Sequence, residues 1–406
     1  MQPVTVVFGA FDRHNFGDLL FAHVAAAVLG RRKPLFAGLE DADLRPFGGH
    51  RVSALWRLLA RRPDRRISIF HAGGELLSCT AWEAAVMLLP GAEVQPLVAS
   101  LEGRPDRQRD WALSRLGIAD LAPYTVSPDR LARRGRIVYA GVGGVTLNQC
   151  DPALRAEVLD KLRAADAVGV RDRHTHALRA AAGIRGRLMP DPATLTAALF
   201  CRRIRRHAQA GAAAAAREAF PHGYLAVQFS ADFGDDATLA AIAAGLDRAA
   251  LTHGCGVVFF RAGAAPWHDD LDCYRRAAVR MRTPALIAHS LNLWTICALV
   301  AGSRAYLGSS LHGRIVAMAY ALPRLSLALP GGTGKASKQA AYAATWDSAD
   351  MPGVVSIAEI APALASAMDT SARERQGLAD ALAAACRAEL LGLVRALGEG
   401  GSTRQA

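Results

Sequence analysis

One histidine in the second half of the chain combines acid–base chemistry with a position that can bind an anion. Its segment is Tyr306-Leu-Gly-Ser-Ser-Leu-His-Gly-Arg-Ile315, which predicts a strand that ends in glycine and a helix over 311–321 capped by Ser309 or Ser310. In a parallel α/β sheet this turn lies at the carboxyl edge, where ligands bind and helix amides face anions. His312 is therefore predicted to act as an acid–base group on an anionic substrate, with simple packing in an ordinary helix as the alternative.

Three glycine-containing loops follow predicted strands in the first half of the chain. They cover residues 11–20, 71–77 and 141–145. Glycine lets the backbone approach a ligand closely, and three such loops at one edge of one sheet exceed what turns require. Asp18 or Glu75 can orient or deprotonate a hydroxyl group, although an N-cap or turn role is the alternative for each. The candidate ligand-binding residues are Asn15, Gly17, Asp18, Gly73, Gly74, Glu75, Gly143 and Gly144.

Two segments resemble nucleotide-binding motifs without matching them. The run from Gly141 to Thr146 lacks the final glycine of the dinucleotide fingerprint. Gly331-Gly-Thr-Gly-Lys335 has Leu329 where a phosphate loop needs its first glycine, and Ala336 where it needs Ser or Thr. Lys335 and Lys338, two of the four lysines, remain candidates for binding an anion from a loop that covers the site, with surface solvation as the alternative for at least one of them.

The basic charge of the chain does not indicate a nucleic-acid partner. The net charge is +12 over 406 residues, but arginine is spread along the chain without interleaved aromatic residues, and there are only four lysines. Anionic small molecules or a membrane surface with acidic lipids explain this charge better. The seven cysteines are scattered without a CxxC pair, so neither a disulfide framework nor a zinc site is indicated.

Localisation follows from the absence of targeting patterns. The sequence has no apolar run of about 18 residues, and its first residues lead into a strand without the pattern of a signal peptide. The expectation is a cytoplasmic protein, with the inner face of the membrane as an alternative site.

Strands and helices alternate along the chain, which predicts an α/β fold of two Rossmann-like domains that face each other across a cleft. The pattern breaks at 201–222, which is rich in arginine pairs and alanine, and then restarts. The expected organisation is residues 1–200 for the first domain, 201–222 as a connecting segment, 223–350 for the second domain, 351–398 as C-terminal helices and 399–406 as a flexible tail. The predicted strands are Thr5 to Gly9, Ile67 to Ala72, Ile137 to Gly141, Ala167 to Val170, Arg187 to Met189, Tyr224 to Phe229, Gly256 to Arg261, Ala285 to Ala288, Arg304 to Gly308 and Arg324 to Leu327.

Taken together, these motifs resemble the polysaccharide pyruvyl transferase family. They occur in family order over about residues 5 to 340. The matching pieces are Asn15-Phe-Gly-Asp18, Gly73-Gly-Glu-Leu76, Gly141-Val-Gly-Gly144, Val170-Arg-Asp172, Pro190-Asp-Pro192, and the strand, Ser-Leu-His-Gly and proline within 304–323.

The resemblance implies a glycosyltransferase-B-like pair of domains and a transfer of pyruvate from phosphoenolpyruvate. The acceptor would be a hydroxyl pair on a glycan or lipid-linked oligosaccharide, which becomes a cyclic ketal, with the first domain on the acceptor side and the second on the donor side. No cofactor is implied, because phosphoenolpyruvate is a co-substrate. His312 matches the family's proposed catalytic histidine and Arg171 matches an arginine associated with the donor. Ser309, Ser310, Arg314 and Lys335 are further candidates for binding substrate.

This chain departs from many members in one respect, because they carry arginine where Ser310 stands. The departure puts the donor in doubt more than the fold. Two other classes therefore remain open: a glycosyltransferase that uses a nucleotide sugar, and a noncatalytic carbohydrate-binding relative.

Overall fold

The computed structural model describes residues 3–131, 133–331 and 337–398. Two parallel sheets share them, with helices on their faces. The strands are β1 (Val4–Phe8), β2 (Leu35–Gly38), β3 (Ala42–Asp43), β4 (Arg51–Ala54), β5 (Ile67–Ala72), β6 (Arg134–Val142), β7 (Ala167–Val170), β8 (Arg187–Leu188), β9 (Tyr224–Gln228), β10 (Gly256–Phe260), β11 (Ala285–Ala288), β12 (Ala305–Gly308), β13 (Arg324–Leu327) and β14 (Val354–Val355).

The helices fill the intervals between strands. They are α1 (Phe16–Leu29), α2 (Leu55–Ala60), α3 (Ala81–Met87), α4 (Gly91–Leu101), α5 (Pro105–Leu116), α6 (Pro152–Arg163), α7 (Arg173–Ala181), α8 (Thr196–Ala208), α9 (Gly211–Ala219), α10 (Asp236–His253), α11 (Leu271–Ala278), α12 (Leu293–Ala301), α13 (Leu311–Ala319), α14 (Lys338–Trp346), α15 (Ile360–Asp369) and α16 (Ala372–Gly398). Within the described residues, no helix is both long and apolar enough to cross a membrane.

The first sheet has the order β3-β4-β2-β1-β5-β6-β7-β8, and the second has the order β11-β10-β9-β12-β13-β14. All pairings are parallel except that of β3 with β4. Parallel strands that are covered on both faces are continuously apolar, and β5 and β9 are buried along their whole length. The predicted strands are present, and their observed ends differ from the predicted ends by up to three residues.

The structure also contains strands that the sequence analysis omitted. These are β2, β3 and β4 in the first sheet and β14 in the second. None is longer than four residues, and only β2 and β4 contain buried positions. β3 and β14 have two residues each, which is too few to show an apolar run or an alternation.

Residues 201–222 form helices rather than a loose linker. The end of α8 and all of α9 lie in this segment, and both helices pack against α12 of the second half. At the C-terminus, α15 packs on α10 and β13, whereas α16 returns to pack on β6, β7 and α1 of the first half. The proposed domain limits stay a prediction, and the predicted tail 399–406 lies outside the described residues.

Candidate active site

The loop after β1 reaches across to the second domain. Asn15 caps α1 by accepting the Gly17 amide at 3.1 Å, which also fixes the start of the helix. The Phe16 amide donates to the Ala262 carbonyl at 2.9 Å, and Asn15 forms a bridge with Gly263. Ala262 and Gly263 follow β10, so the carboxyl edges of the two sheets face each other here. This contact brings the first turn of α1 to the second domain.

His312 lies in the first turn of α13 and contacts the other domain. Ser310 caps this helix by accepting the Gly313 amide at 3.3 Å. The His312 ring packs edge-on against Phe21, with ring centroids 4.9 Å apart. A Cβ atom added at Gly17 would lie 2.0 Å from the ring, so only glycine at this position permits the contact.

The His312 side chain is buried and chemically unsatisfied. His312 is 8% exposed, and its Nε2 has no hydrogen-bond partner among the described residues. The nearest acid is Asp191, whose Oδ2 lies 4.0 Å from Nε2. Burial lowers the pKa of His312 well below its usual value, and the charges of Arg171 and Lys338 act in the same direction. The ring is therefore neutral in the empty site, and a bound anion would raise its proton affinity.

Arg171 joins two carboxylates instead of facing an open cleft. Its Nη2 lies 2.6 Å from Glu75 Oε2 and its Nη1 lies 3.0 Å from Asp191 Oδ2. Arg171 is 2% exposed, which differs from the expectation that it contacts the donor directly. Two carboxylates flank one guanidinium in a buried setting, so their attraction decides its position. Arg171 thus positions Glu75 and Asp191.

The predicted glycines support this ion-pair network. A Cβ atom at Gly143 would lie 2.4 Å from Glu75 Oε2, so its absence makes room for the carboxylate. Gly74 has a φ of 89°, in the left-handed region that favours glycine, and Gly73 also has a positive φ. The Gly144 amide donates to Thr175 Oγ1 at 3.1 Å, so that amide is already hydrogen-bonded within the first domain.

Asp18 is a buried carboxylate beside Gly74. Its Oδ1 is 3.6 Å from the position of a Cβ atom built on that glycine, and the residue is 7% exposed. Burial raises the pKa of Asp18 to about 6, against the opposing effects of Arg13, Lys338 and Arg171. A carboxylate with such a pKa is suited to accept a proton near neutral pH.

Two of the predicted substrate-binding residues have partners within the second domain. Arg314 is fully buried inside the second domain, where its Nε donates to Asp347 Oδ2 at 2.9 Å and its Nη1 donates to the Gly353 carbonyl at 3.2 Å. Arg314 therefore stabilises the interior of the second domain. Ser309 Oγ accepts the Ser230 amide at 3.0 Å. Lys335 lies outside the described residues.

The structure adds Asp191 to the residues selected from the sequence, and it relates the predicted loop lysine Lys338 to the site. Asp191 belongs to the Pro190-Asp-Pro192 motif, which could have identified it, but its contacts with Arg171 and His312 depend on the tertiary structure. Lys338 is exposed at the start of α14 and acts electrostatically on both His312 and Asp18. Its closeness to these groups cannot be read from sequence, because α14 follows β13 and not the strand before His312.

A sequence model of the family described as polysaccharide pyruvyl transferase matches residues 15–329, which is most of the chain. The chain belongs to the polysaccharide pyruvyl transferase family. The resemblance inferred from the motifs is thus confirmed, and the protein is a transferase. A comparison with curated proteins found no match.

Similar solved structures support the fold of this family member. UDP-N-acetylglucosamine 2-epimerase from Rickettsia bellii has a TM-score of 0.55 at 10% identity, covering 97% of this chain and 96% of that one. UDP-GlcNAc 2-epimerase from Methanocaldococcus jannaschii has a TM-score of 0.52 at 8% identity, covering 91% and 92%. The N-terminal domain of trehalose-6-phosphate phosphatase from Candida albicans has a TM-score of 0.50 at 12% identity, covering 97% and 95%. At these identities the similarity concerns the fold alone, and it confirms the predicted glycosyltransferase-B-like α/β class.

Proposed function

We propose that this transferase moves a pyruvyl group from phosphoenolpyruvate onto two hydroxyl groups of a sugar in a cell-surface glycan or its lipid-linked precursor. The observation that carries the proposal is the buried His312 Nε2, unpartnered among the described residues and 4.0 Å from Asp191 Oδ2, in a chain of the pyruvyl transferase family. Other buried side-chain atoms among the described residues also lack partners, so His312 is singled out by the combination of its unpartnered nitrogen, its place in the first turn of α13 and its distance to Asp191. Asp18 supplies a second acid–base group near the same domain contact.

The reaction needs one proton donor and one proton acceptor. In the first step a sugar hydroxyl forms a C–O bond to C2 of phosphoenolpyruvate, and the electron pair of the double bond takes a proton from His312 onto C3. Asp18 receives the hydroxyl proton. In the second step the neighbouring hydroxyl bonds to C2 as the bond to phosphate breaks, and phosphate leaves with that electron pair. The second hydroxyl proton restores His312, and the proton on Asp18 leaves with phosphate.

Donor binding supplies the charge that makes His312 an acid. The first-turn amides of α13 and the exposed Lys338 form a suitable place for the phosphate or carboxylate of the donor. A bound anion favours the protonated imidazole, and the proton for C3 is then available only when the donor is present.

Calorimetric titration with phosphoenolpyruvate, UDP-glucose and GDP-mannose tests the donor. Binding of phosphoenolpyruvate, with release of phosphate in the presence of a glycan acceptor, is the expected result. The His312→Gln variant should bind phosphoenolpyruvate with a similar Kd but turn over about 10² to 10⁴ times more slowly, which is the usual contribution of general acid–base catalysis. Binding of a nucleotide sugar alone would favour a glycosyltransferase, and binding of glycans without any donor would favour a noncatalytic relative.

We also infer that the enzyme works in the cytoplasm at the inner face of the membrane, where lipid-linked acceptors are found. The support is a surface around α2 of the first domain. Trp56 on α2 is 50% exposed, and Arg57 lies over its ring at 4.9 Å from the centroid. Next to α2, a cavity of about 230 Å³ is lined in part by four arginines, which are Arg62, Arg65, Arg130 and Arg133.

Aromatic and basic side chains on one surface suit the interface of an anionic membrane. Sedimentation with phosphatidylglycerol vesicles should show binding that weakens in high salt and in Trp56→Ala, whereas phosphatidylcholine vesicles should bind weakly. Equal binding to both vesicle types, or none to either, would remove this part of the proposal.

A further inference from the structure

Three tryptophans from the two domains meet beside the domain contact. Trp82 on α3 packs edge-on against Trp111 on α5, with ring centroids 5.5 Å apart. Trp267, in the loop between β10 and α11 of the second domain, approaches Trp82 with centroids 6.5 Å apart. The cluster therefore exists only when the two domains are together. We call Trp82, Trp111 and Trp267 the tryptophan cluster.

Trp267 is unusual in both exposure and backbone conformation. It is 42% exposed, although a large aromatic side chain gains most from burial. Its φ is 61°, a left-handed value that is an outlier for a bulky residue. Such a conformation costs on the order of 1–3 kcal/mol, and strain of this kind is concentrated at ligand-binding and active sites. Packing within this chain does not explain a strained and exposed tryptophan.

The Trp267 loop is joined directly to the loop that carries Asp18. His268 Nδ1 donates to the Pro266 carbonyl at 2.9 Å, which leaves Nε2 to accept the Asn15 amide group at 3.1 Å. Burial lowers the pKa of His268 to about 4, so the accepting lone pair persists at neutral pH. Asn15 caps the helix in which Asp18 lies. The tryptophan cluster is thus continuous with the candidate active site through one hydrogen bond.

We propose that Trp267, supported from behind by Trp82, is a stacking platform for a hexopyranose ring of the glycan acceptor. One face of such a sugar carries C–H groups with partial positive charge, which suit the negative face of an indole ring. The sugar hydroxyls at the ring edge remain free for hydrogen bonds. This inference rests on the proposed function, since it takes the acceptor to be a glycan. It adds a binding subsite for the sugar, contributed by the second domain.

The test compares Trp267→Ala and Trp267→Phe with Leu391→Ala as a matched control, because Leu391 on α16 is 43% exposed, close to the 42% of Trp267, but belongs to no proposed site. The probes are methyl β-galactopyranoside, methyl β-glucopyranoside and cellotetraose, followed by intrinsic tryptophan fluorescence and by phosphate release from phosphoenolpyruvate. Truncation to Ala should raise the sugar Kd and acceptor KM by about tenfold to a hundredfold, as for other aromatic contact residues. Phe should retain most of the binding, and Leu391→Ala should change neither the sugar Kd nor the acceptor KM.

The outcomes separate this inference from the proposed function. Sugar binding that depends on Trp267, in a protein that does not bind phosphoenolpyruvate, would support the platform and contradict the pyruvyl transfer. An unchanged sugar Kd in Trp267→Ala would overturn the platform even if phosphoenolpyruvate is turned over. Failure of all three sugars to quench the wild-type protein, or quenching through Trp267 by UMP instead, would also overturn it. An equal loss of phosphoenolpyruvate affinity in Trp267→Ala would assign the cluster to domain packing.

Discussion

Replacing Asp18 by asparagine should stabilise the protein while it impairs catalysis. Burial raises the pKa of the Asp18 carboxyl from its ordinary value of 3.8 to about 6. Because the folded state holds this proton more tightly than the unfolded chain, ionisation of Asp18 destabilises the fold. The destabilisation begins as the pH rises above the pKa of Asp18 in the unfolded chain. It is complete above the pKa of Asp18 in the folded protein. Asparagine keeps the shape of the side chain and cannot ionise.

The expected magnitude follows from the two pKa values. They differ by about two pKa units, and each unit corresponds to about 1.4 kcal/mol, so the free energy of unfolding should rise by up to about 3 kcal/mol at pH 8. At pH 4.5 most unfolded-state Asp18 is ionised but the folded form is still protonated, and the gain should shrink to about 1 kcal/mol. Loss of the general base should lower turnover by about 10² to 10⁴ at neutral pH.

Urea unfolding of the wild-type and Asp18→Asn proteins at both pH values measures this effect. Urea is the suitable denaturant because it does not screen charges. Asp235→Asn is the matched control, because Asp235 is an exposed helix cap whose pKa is lowered by its hydrogen bonds to Thr238. That control should lose stability at pH 8 rather than gain it. The pH dependence of kcat/KM in the wild type should rise with a midpoint near 6. A loss of stability in Asp18→Asn at pH 8, or the same gain at both pH values, would refute the conclusion that Asp18 is a buried carboxyl group with a raised pKa.

Substitutions at Gly17, Arg171 and Lys338 test the arrangement around His312. Gly17→Ala would place a Cβ atom 2.0 Å from the His312 ring, so turnover should fall at least tenfold and calorimetry should show a loss of roughly 1–3 kcal/mol; an unchanged melting temperature would contradict the packing. Arg171→Met leaves two carboxylates without their shared cation and should cost roughly 3–5 kcal/mol in urea unfolding, whereas Arg171→Lys should cost less because it keeps the charge. Lys338→Ala should raise the Kd for phosphoenolpyruvate several-fold in calorimetric titration. Lys33 is an exposed lysine beyond the far end of α1, so Lys33→Ala should leave this Kd unchanged. Equal effects of the two substitutions would indicate only a general influence of charge.

The sequence by itself determined the fold class and the places where the chain could bind a ligand. Strands such as β5 and β9 are buried along their whole length, so most of their residues are apolar and the strands can be recognised without a structure. The caps of α1 and α13 are equally local, because Asn15 and Ser310 bond to amides two and three residues away. Motif order was sufficient to indicate the family, which the match over residues 15–329 confirms.

Tertiary structure decided which of the candidate residues act together. Arg171 and Arg314 both follow a strand and look alike in sequence, yet one bridges Glu75 and Asp191 while the other lies fully buried beside Asp347. A guanidinium is positioned by the carboxylates that surround it, and these come from parts of the chain far apart in sequence. The contact of His312 with Gly17 and the meeting of Trp82 with Trp267 likewise require two domains to face each other. Local sequence determines the elements, but only their packing sets distances between residues that hundreds of positions separate.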